Sequence, residues 1–224
     1  RLAAAVFRGD WPETHAGTAM VTHVMTGYGP NDGDDNGNPT GMTKGQAMDV
    51  AKMPAGLADL VARAGKTRGT PPVERWNPPF CGDIDMRIAG DGRWYYMGSP
   101  INREALVRLF ASVLRRDEDG RHYLVTPVER VGITVEDAPF LAVEMHAQGE
   151  GREQRLTLRT NVGDVVTADA SHPLRFERET GTDGLKPYIR VRGALDALLA
   201  RPLLYQLAEL FEEQDMGGRS MLGV

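Results

Sequence analysis

Residues 83–97 read DIDMRIAGDGRWYYM, and they contain the clearest β-hairpin pattern in the chain. Ile84, Met86 and Ile88 alternate with charged residues, as on a strand that is buried on one face only. Residues 89–92 (AGDG) are a turn signal, and the aromatic residues after them favour a returning strand. The stretch therefore predicts a hairpin in a half-buried antiparallel sheet.

A helix is predicted directly after this hairpin, because apolar residues at 106, 109, 110, 113 and 114 share one helical face. Arg115 and Arg116 suit the C-terminal end of its dipole. Short strands separated by turns are expected further on, near residues 122–126, 129–135, 140–147, 154–160, 164–168, 173–179 and 187–192. A leucine-rich helix from 195 to 211 closes the chain, with a break near Arg201 because Pro202 cannot occupy a helix interior.

The hairpin-and-helix pattern occurs twice, at an offset of about 92 residues between the copies. The turn at 91–92 falls on the turn at 183–184, and Tyr96 falls on Tyr188. Symmetric closure about these turns would place Asp85 opposite Tyr96 and Glu177 opposite Tyr188. Each half is too small for a large core of its own, so we expect the halves to bury an interface that contains a ligand cleft.

The predicted fold class is α+β, with two small, mostly antiparallel β domains packed on each other, each with a β-hairpin followed by a helix. Prolines at 71, 72, 78 and 79 predict an extended arm before the first hairpin, laid across the core by aromatic rings. The expected organisation is a flexible leader (1–42), a helix and linker (43–70), a first αβ domain (71–138), a second αβ domain (139–213) and a tail that frays (214–224).

Composition excludes several classes of protein. The 224 residues are 41% hydrophobic and 25% charged, as in ordinary globular proteins, and no apolar run is long enough to span a bilayer. A net charge of −5 disfavours a nucleic-acid partner. The single cysteine, Cys81, excludes an intrachain disulfide and a multi-cysteine zinc site, which favours a cytoplasmic location.

The most suggestive polar pattern lies in the second hairpin. Arg175, Arg190, Arg192 and Tyr188 are predicted on one sheet face, where guanidiniums can bind a phosphate and a ring can stack on a base. The alternative is that these arginines pair with Glu177, Asp83 or Asp85 across the interface.

Two other functions compete with anion binding. A metal-assisted hydrolase would use Asp83, Asp85 and His172, although two alternating acids are typical of the solvent side of a strand. A protein-interaction adaptor would use a sheet edge or the proline arm. The sequence shows neither a nucleophile elbow nor a phosphate-binding loop, so no catalytic residue, metal ligand or cofactor is assigned.

Much of the chain between residues 71 and 211 resembles a bacterial family described as domain of unknown function 1285. The resemblance is carried by residues 72–84 (PVERWNPPFCGDI), 94–101 (WYYMGSPI), 125–129 (VTPVE), 135–140 (VEDAPF), 160–164 (TNVGD) and 172–176 (HPLRF). It implies duplicated structural motifs, a C-terminal half superficially similar to a pleckstrin-homology fold, a ligand site between the halves for a nucleotide-like molecule, and a role in signal transduction.

These observations together favour a ligand-binding module over an enzyme. The expected partner is a small anionic molecule, with a nucleotide as the candidate and a protein as a further possible partner. Arg175, Arg190 and Arg192 are the predicted anion contacts, and Tyr188, Tyr96 and Trp94 are the predicted stacking residues. Arg103, near the start of the first long helix, is a further candidate.

Overall fold

The computed structural model describes residues 53–62, 71–150, 153–179, 181, 184–215 and 220–223. The predicted leader therefore lies outside the described residues. The helices are α1 (Ala55–Ala62), α2 (Glu104–Ser112) and α3 (Arg201–Ala208), with a 3-10 turn at Val73–Arg75. The strands are β1 (Phe80–Ile88), β2 (Trp94–Tyr96), β3 (Ser99–Pro100), β4 (Leu114–Arg116), β5 (His122–Val125), β6 (Arg130–Val135), β7 (Phe140–Gln148), β8 (Arg155–Thr160), β9 (Val165–Thr167), β10 (Leu174–Arg178), β11 (Leu185–Arg192), β12 (Leu195–Leu199), β13 (Glu212–Asp215) and β14 (Ser220–Gly223).

The first half of the described chain forms a six-stranded sheet with the order β3-β2-β1-β6-β5-β4. It consists of two antiparallel three-stranded meanders, β1 to β3 and β4 to β6, joined by parallel pairing of β1 with β6. Helix α2 connects the two meanders, with Leu106 and Phe110 buried. The α+β class and the mostly antiparallel pairing are therefore confirmed for this half.

The second half repeats this connectivity. Its sheet has the order β10-β11-β12-β7-β8-β9, so the meanders β7 to β9 and β10 to β12 meet at a parallel pair of β7 with β12. The first strand of each half thus pairs with the last, and the two halves are topological copies of each other. Strands β13 and β14 form a separate antiparallel pair that begins at Glu212 and extends into the segment (214–224) that was expected to be a frayed tail.

The duplication is real, but the predicted offset of 92 residues is wrong. Equivalent strands begin at 80 and 140 (β1 and β7) and at 114 and 174 (β4 and β10), which is an offset of 60. The 92-residue alignment matched the central strand β1 with the edge strand β10. The error arose because both are first strands of hairpins, and only the parallel pairing at the sheet centre distinguishes their positions.

The predicted registers of both hairpins are also wrong. Met86, not Asp85, lies opposite Tyr96, and Arg175, not Glu177, lies opposite Tyr188. Five residues separate β1 from β2, and the loop closes through Ala89 N–H to the Arg93 carbonyl at 2.9 Å. A one-residue change of register moves side chains to the other face of a strand, which places Tyr96 in the core.

Two segments predicted as helical are strands. Leu114 to Arg116 form β4 because Leu114 pairs with Leu124 of the neighbouring strand. Leu195 to Leu199 form β12, with Leu195, Ala197 and Leu199 buried in the alternation of a strand. The break predicted near Arg201 is confirmed, because α3 begins there with Pro202 in its first turn.

The proline-rich arm is attached to the first sheet by a buried arginine as well as by its rings. The Arg115 Nη1 atom donates to the Val73 carbonyl at 2.8 Å and to the Trp76 carbonyl at 2.7 Å. Its Nε atom donates to Asp117 at 2.6 Å, so the guanidinium has a charged partner as well. The arm is therefore part of the packed structure rather than a free docking segment.

Both halves contribute to one buried hydrophobic cluster, and polar contacts join them at its margin. Arg192 Nη2 donates to the Ala111 carbonyl at 2.6 Å, near the C-terminal end of α2, where cations are favourable. Asn161 Nδ2 donates to the Gly92 carbonyl at 3.4 Å. In the part of the chain described above, no helix is both long and apolar enough to cross a membrane.

Two glycines with nearly the same positive φ test this junction. Gly92 has φ +78°, and a Cβ there would lie 2.7 Å from Leu141 Cδ1, whereas Gly98 has φ +75° and no described heavy atom within 4 Å of such a Cβ. We expect Gly98→Ala to lower the free energy of unfolding by about 1 kcal/mol through its positive φ alone. Gly92→Ala adds crowding against the second half and is expected to cost at least about 1 kcal/mol more. Urea unfolding of both variants checks this, and equal losses would contradict a tight contact there.

Candidate functional site

A cavity of about 340 Å³ lies where the two halves meet. The first half contributes two residues from β4 and β5, the connecting segment contributes three, and the second half contributes six. The lining residues are Arg116, His122, Asp137, Ala138, Pro139, Arg175, Glu177, Tyr188, Arg190, Ala194 and Asp196. The cavity is therefore built from both topological copies and the segment between them.

Strand pairing brings the charged residues to the same place. Arg116 is directly opposite His122 in the β4–β5 pair, Arg175 is opposite Tyr188, and Arg190 is opposite Asp196. Directly opposed residues share one face of a sheet. The two sheets thus present three arginines to one cavity, which is the chemistry expected for an anion site.

Asp196 is the acceptor at the centre of the second half's contribution. Its side chain is only 7% exposed. Oδ1 accepts from Arg190 Nε at 2.6 Å, and Oδ2 accepts from Arg175 Nη2 at 3.0 Å. Arg175 also pairs with Glu177, as one of the two sequence interpretations proposed, while Asp83 pairs with Arg121 instead. Both of the predicted anion contacts that line the cavity, Arg175 and Arg190, therefore already have a carboxylate partner.

Tyr188 connects the second sheet to the segment between the halves. Its hydroxyl donates to Asp137 Oδ1 at 2.7 Å, and Lys186 Nζ donates to the other oxygen of that carboxylate at 2.7 Å. Burial, followed by the hydrogen bond to Asp137, raises the pKa of Tyr188, so the phenol stays protonated. The Arg175 guanidinium lies 4.2 Å from the centre of the ring and covers the surface that was predicted to stack on a base.

His122 is a neutral histidine beside a cation. Burial and the charge of Arg116 lower the pKa of His122 to about 4, from an ordinary value near 6.5, while Asp196 acts in the opposite direction. The imidazole is therefore uncharged at neutral pH. In that form it offers one donor nitrogen and one acceptor nitrogen to the cavity.

Four of the seven predicted site residues do not line the cavity. Arg192 pairs with Asp164 and with the Ala111 carbonyl, which makes it a contact between the halves. Trp94 and Tyr96 are buried in the core, where Trp94 stacks on Phe110 at 6.3 Å between ring centroids. Arg103 is the residue that precedes α2. Only Arg175, Arg190 and Tyr188 are brought together as expected.

Four charged or titratable residues that line the cavity were not among the predicted site residues: Arg116, His122, Asp137 and Asp196. A hairpin centred on Asp119, with residues 117–121 (DEDGR) as its loop, would have placed Arg116 opposite His122, so the signal for that pair was present. Asp196 is a lone acid within an apolar run, which is itself a sign of a buried ion pair. No local sequence pattern identifies Asp137 as a site residue, because its hydrogen-bond partners come from β11.

The residues proposed for a metal-assisted hydrolase do not form one site. Asp83 Oδ1 accepts from Arg121 at 2.5 Å on β1, whereas His172 Nδ1 lies 3.1 Å from Asp169 in the loop after β9. Among the residues that the structure describes, no three His, Cys, Asp or Glu side chains group as metal ligands would. Asp83, Asp85 and His172 are therefore not arranged as ligands of one metal ion in the described part of the chain.

Comparison with known proteins identifies related structures. A crystal structure of a DUF1285 family protein from Silicibacter pomeroyi DSS-3 matches with 49% identity and a TM-score of 0.66, covering 73% of this chain and 93% of that one. Another, from Shewanella baltica OS155, has 26% identity and a TM-score of 0.45, covering 57% and 92%. No curated protein gives a significant match.

Two family models describe the matched part of the sequence. Residues 71–138 match the N-terminal domain of the domain of unknown function DUF1285, and residues 139–224 match the C-terminal domain of the protein of unknown function DUF1285. The boundary between these matches falls between β6 and β7, where one sheet ends and the next begins. The two topological copies are thus the two family domains, and the chain belongs to the DUF1285 family.

Proposed function

We propose that this protein is a ligand-binding module that holds a small anion in the cavity between its two halves. The observation that carries the proposal is the convergence of Arg116, from the first half, with Arg175 and Arg190, from the second. Guanidinium groups bind phosphate and carboxylate groups through paired N–H donors. A volume of about 340 Å³ is at the lower end of the range for small-molecule sites.

Arg116 is the strongest anion contact in this proposal. Its Nε atom donates to the Gly120 carbonyl at 3.1 Å, and no carboxylate of the described residues lies within ion-pair distance of its guanidinium. Arg175 and Arg190, in contrast, share Asp196. An anion that binds Arg116 therefore gains a charge partner without displacing an existing ion pair.

The carboxylates of the cavity restrict the class of ligand. Three guanidiniums face Asp137, Glu177 and Asp196, so the lining charges balance and a highly charged polyanion is disfavoured. A ligand with one anionic group and separate donor groups fits better, because the acids accept hydrogen bonds from hydroxyl or amino groups. A nucleoside monophosphate has this composition, and it is the candidate that we retain.

The proposal places the module in the cytoplasm and assigns it a signalling role. The exposed free thiol of Cys81 suits a reducing compartment. A ligand bound by residues of both halves would stabilise their junction, which is the property that a sensor requires. Slower amide hydrogen exchange around Ala111 and Gly92 after ligand addition would support this role, and unchanged exchange would contradict it.

The test is thermal unfolding in the presence of phosphate, sulfate and nucleoside monophosphates. A ligand at 100 times its dissociation constant stabilises by about 2.7 kcal/mol, which raises the Tm of a chain of this size by about 5–10 °C. We expect Arg116→Ala and Arg190→Ala to weaken binding at least about tenfold, since each removes charged hydrogen bonds. Arg108→Ala, at an exposed position on α2, serves as the control. A saturable shift that persists in both cavity variants would contradict the proposed site.

A further inference from the structure

His122 occupies an unusual position in the cavity, because it can carry either zero or one positive charge beside Arg116. The two residues are opposite each other on adjacent strands. The charged or titratable groups that face the cavity with His122 come from every surrounding element: Arg116 from β4, Asp137 from the connecting segment, Arg175 and Glu177 from β10, Tyr188 and Arg190 from β11, and Asp196 from β12.

Burial, and then the charge of Arg116, lower the pKa of His122 and keep the imidazole neutral in the ligand-free protein. Asp196, the acid with an attractive effect on a His122 charge, already accepts from two guanidiniums. Burial and the Arg116 charge both oppose protonation, and the pKa of His122 is about 4. The imidazolium that would be a second positive charge beside Arg116 is therefore absent until a negative charge binds nearby.

A bound anion supplies that compensation. Negative charge between Arg116 and His122 would attract the imidazolium and reduce its repulsion by the guanidinium. A protonated imidazole has two N–H donors, so the anion would also gain a hydrogen bond that the neutral ring cannot always provide. Ligand binding and proton uptake then favour each other by reciprocal linkage.

We propose that anion binding in this cavity is coupled to protonation of His122, so that the site binds more tightly as the pH falls. The inference rests on the proposed function and adds proton dependence to it. Free His122 is neutral between pH 5.5 and 7.5, and only the bound state takes up a proton there. If the pKa of His122 in the complex returns to about 6.5, affinity rises about tenfold from pH 7.5 to pH 5.5.

Inorganic sulfate is the appropriate probe, because its charge does not change in this pH range. Calorimetric titration of the full chain at constant ionic strength gives the affinity at each pH, and repetition in buffers with different ionisation enthalpies gives the protons taken up. We expect the tenfold rise in the wild type and in His146→Gln, which alters an exposed histidine on β7. The rise should be less than about twofold in His122→Gln.

A second measurement needs no variant. The imidazole resonances of His122 should titrate near pH 4 in the free protein and at least one pH unit higher with saturating sulfate. Sulfate affinity that is independent of pH, or equally dependent on pH in His122→Gln, would overturn the proton coupling and leave anion binding standing. No saturable binding of sulfate, phosphate or nucleoside monophosphates at either pH would overturn the proposed function itself.

Discussion

Replacing Phe110 by alanine is expected to lower the free energy of unfolding by about 4 kcal/mol. The side chain is fully buried on α2 and stacks against Trp94, with ring planes 24° apart. Its removal would lose apolar burial and leave a cavity beside the Trp94 ring of β2. Denaturant unfolding monitored by Trp fluorescence and by circular dichroism measures the loss.

A matched control distinguishes this effect from general weakening of the helices. Tyr205 on α3 is 64% exposed, and Tyr205→Ala is expected to change stability by less than about 0.5 kcal/mol. A loss below about 1.5 kcal/mol for Phe110→Ala would show that the core around Trp94 can rearrange. That outcome would contradict the tightly packed position of α2.

Replacing Asp196 by asparagine is expected to lower the free energy of unfolding by about 3 kcal/mol. The carboxylate is nearly buried, and two guanidiniums depend on it. We place the loss at the low end of the range for buried ion pairs, because Arg175 and Arg190 keep 38% and 34% of their side-chain surface exposed. Glu144→Gln, which removes an exposed pair with Arg159, is the control and should cost less than about 0.5 kcal/mol.

The same substitution should have the opposite effect on the ligand. Removing a negative charge from the cavity takes from Arg190 its pair with Asp196, leaves Arg175 with Glu177 alone, and lowers the repulsion of an incoming anion. We therefore expect Asp196→Asn to bind sulfate several-fold more tightly at pH 7.5, although the variant is less stable. Weaker binding by a folded Asp196→Asn protein would contradict an anion site at this carboxylate, and calorimetric titration decides between these results.

Three of the predicted anion-site residues lie together in the structure, and the reason is strand pairing. Arg175, Arg190 and Tyr188 converge because the residues of the second hairpin share a sheet face, which alternation along the sequence already indicated. Trp94 and Tyr96 could not be placed in the same way. The sheet face on which they lie depends on the length of the loop before them. The predicted register was wrong by one residue, so both were expected on the surface although both are in the core.

The side of the cavity that contains Arg116 and His122 could be identified only from the tertiary structure. Arg116 had the features of a helix C-terminus, and His122 those of an ordinary strand residue. Only the contact between the two sheets makes them neighbours of Asp196, which is distant in the sequence. The balance between guanidiniums and acids follows from that contact, and it narrows the proposed ligand from any small anion to a molecule with one anionic group.

Local sequence patterns predicted most strands of both sheets, the first two helices and the division into similar halves, but they missed β3, β4 and β12. These features follow from alternation, helical spacing and turn residues, all of which act over a few neighbouring positions. Tertiary structure alone decided that Leu195 to Leu199 form a strand, because leucines at 195, 198 and 199 fit either spacing until β7 provides a parallel partner. It also decided the true offset of the repeat and the composition of the cavity. Each of these depends on residues that meet only when distant strands pair, and no local pattern contains that information.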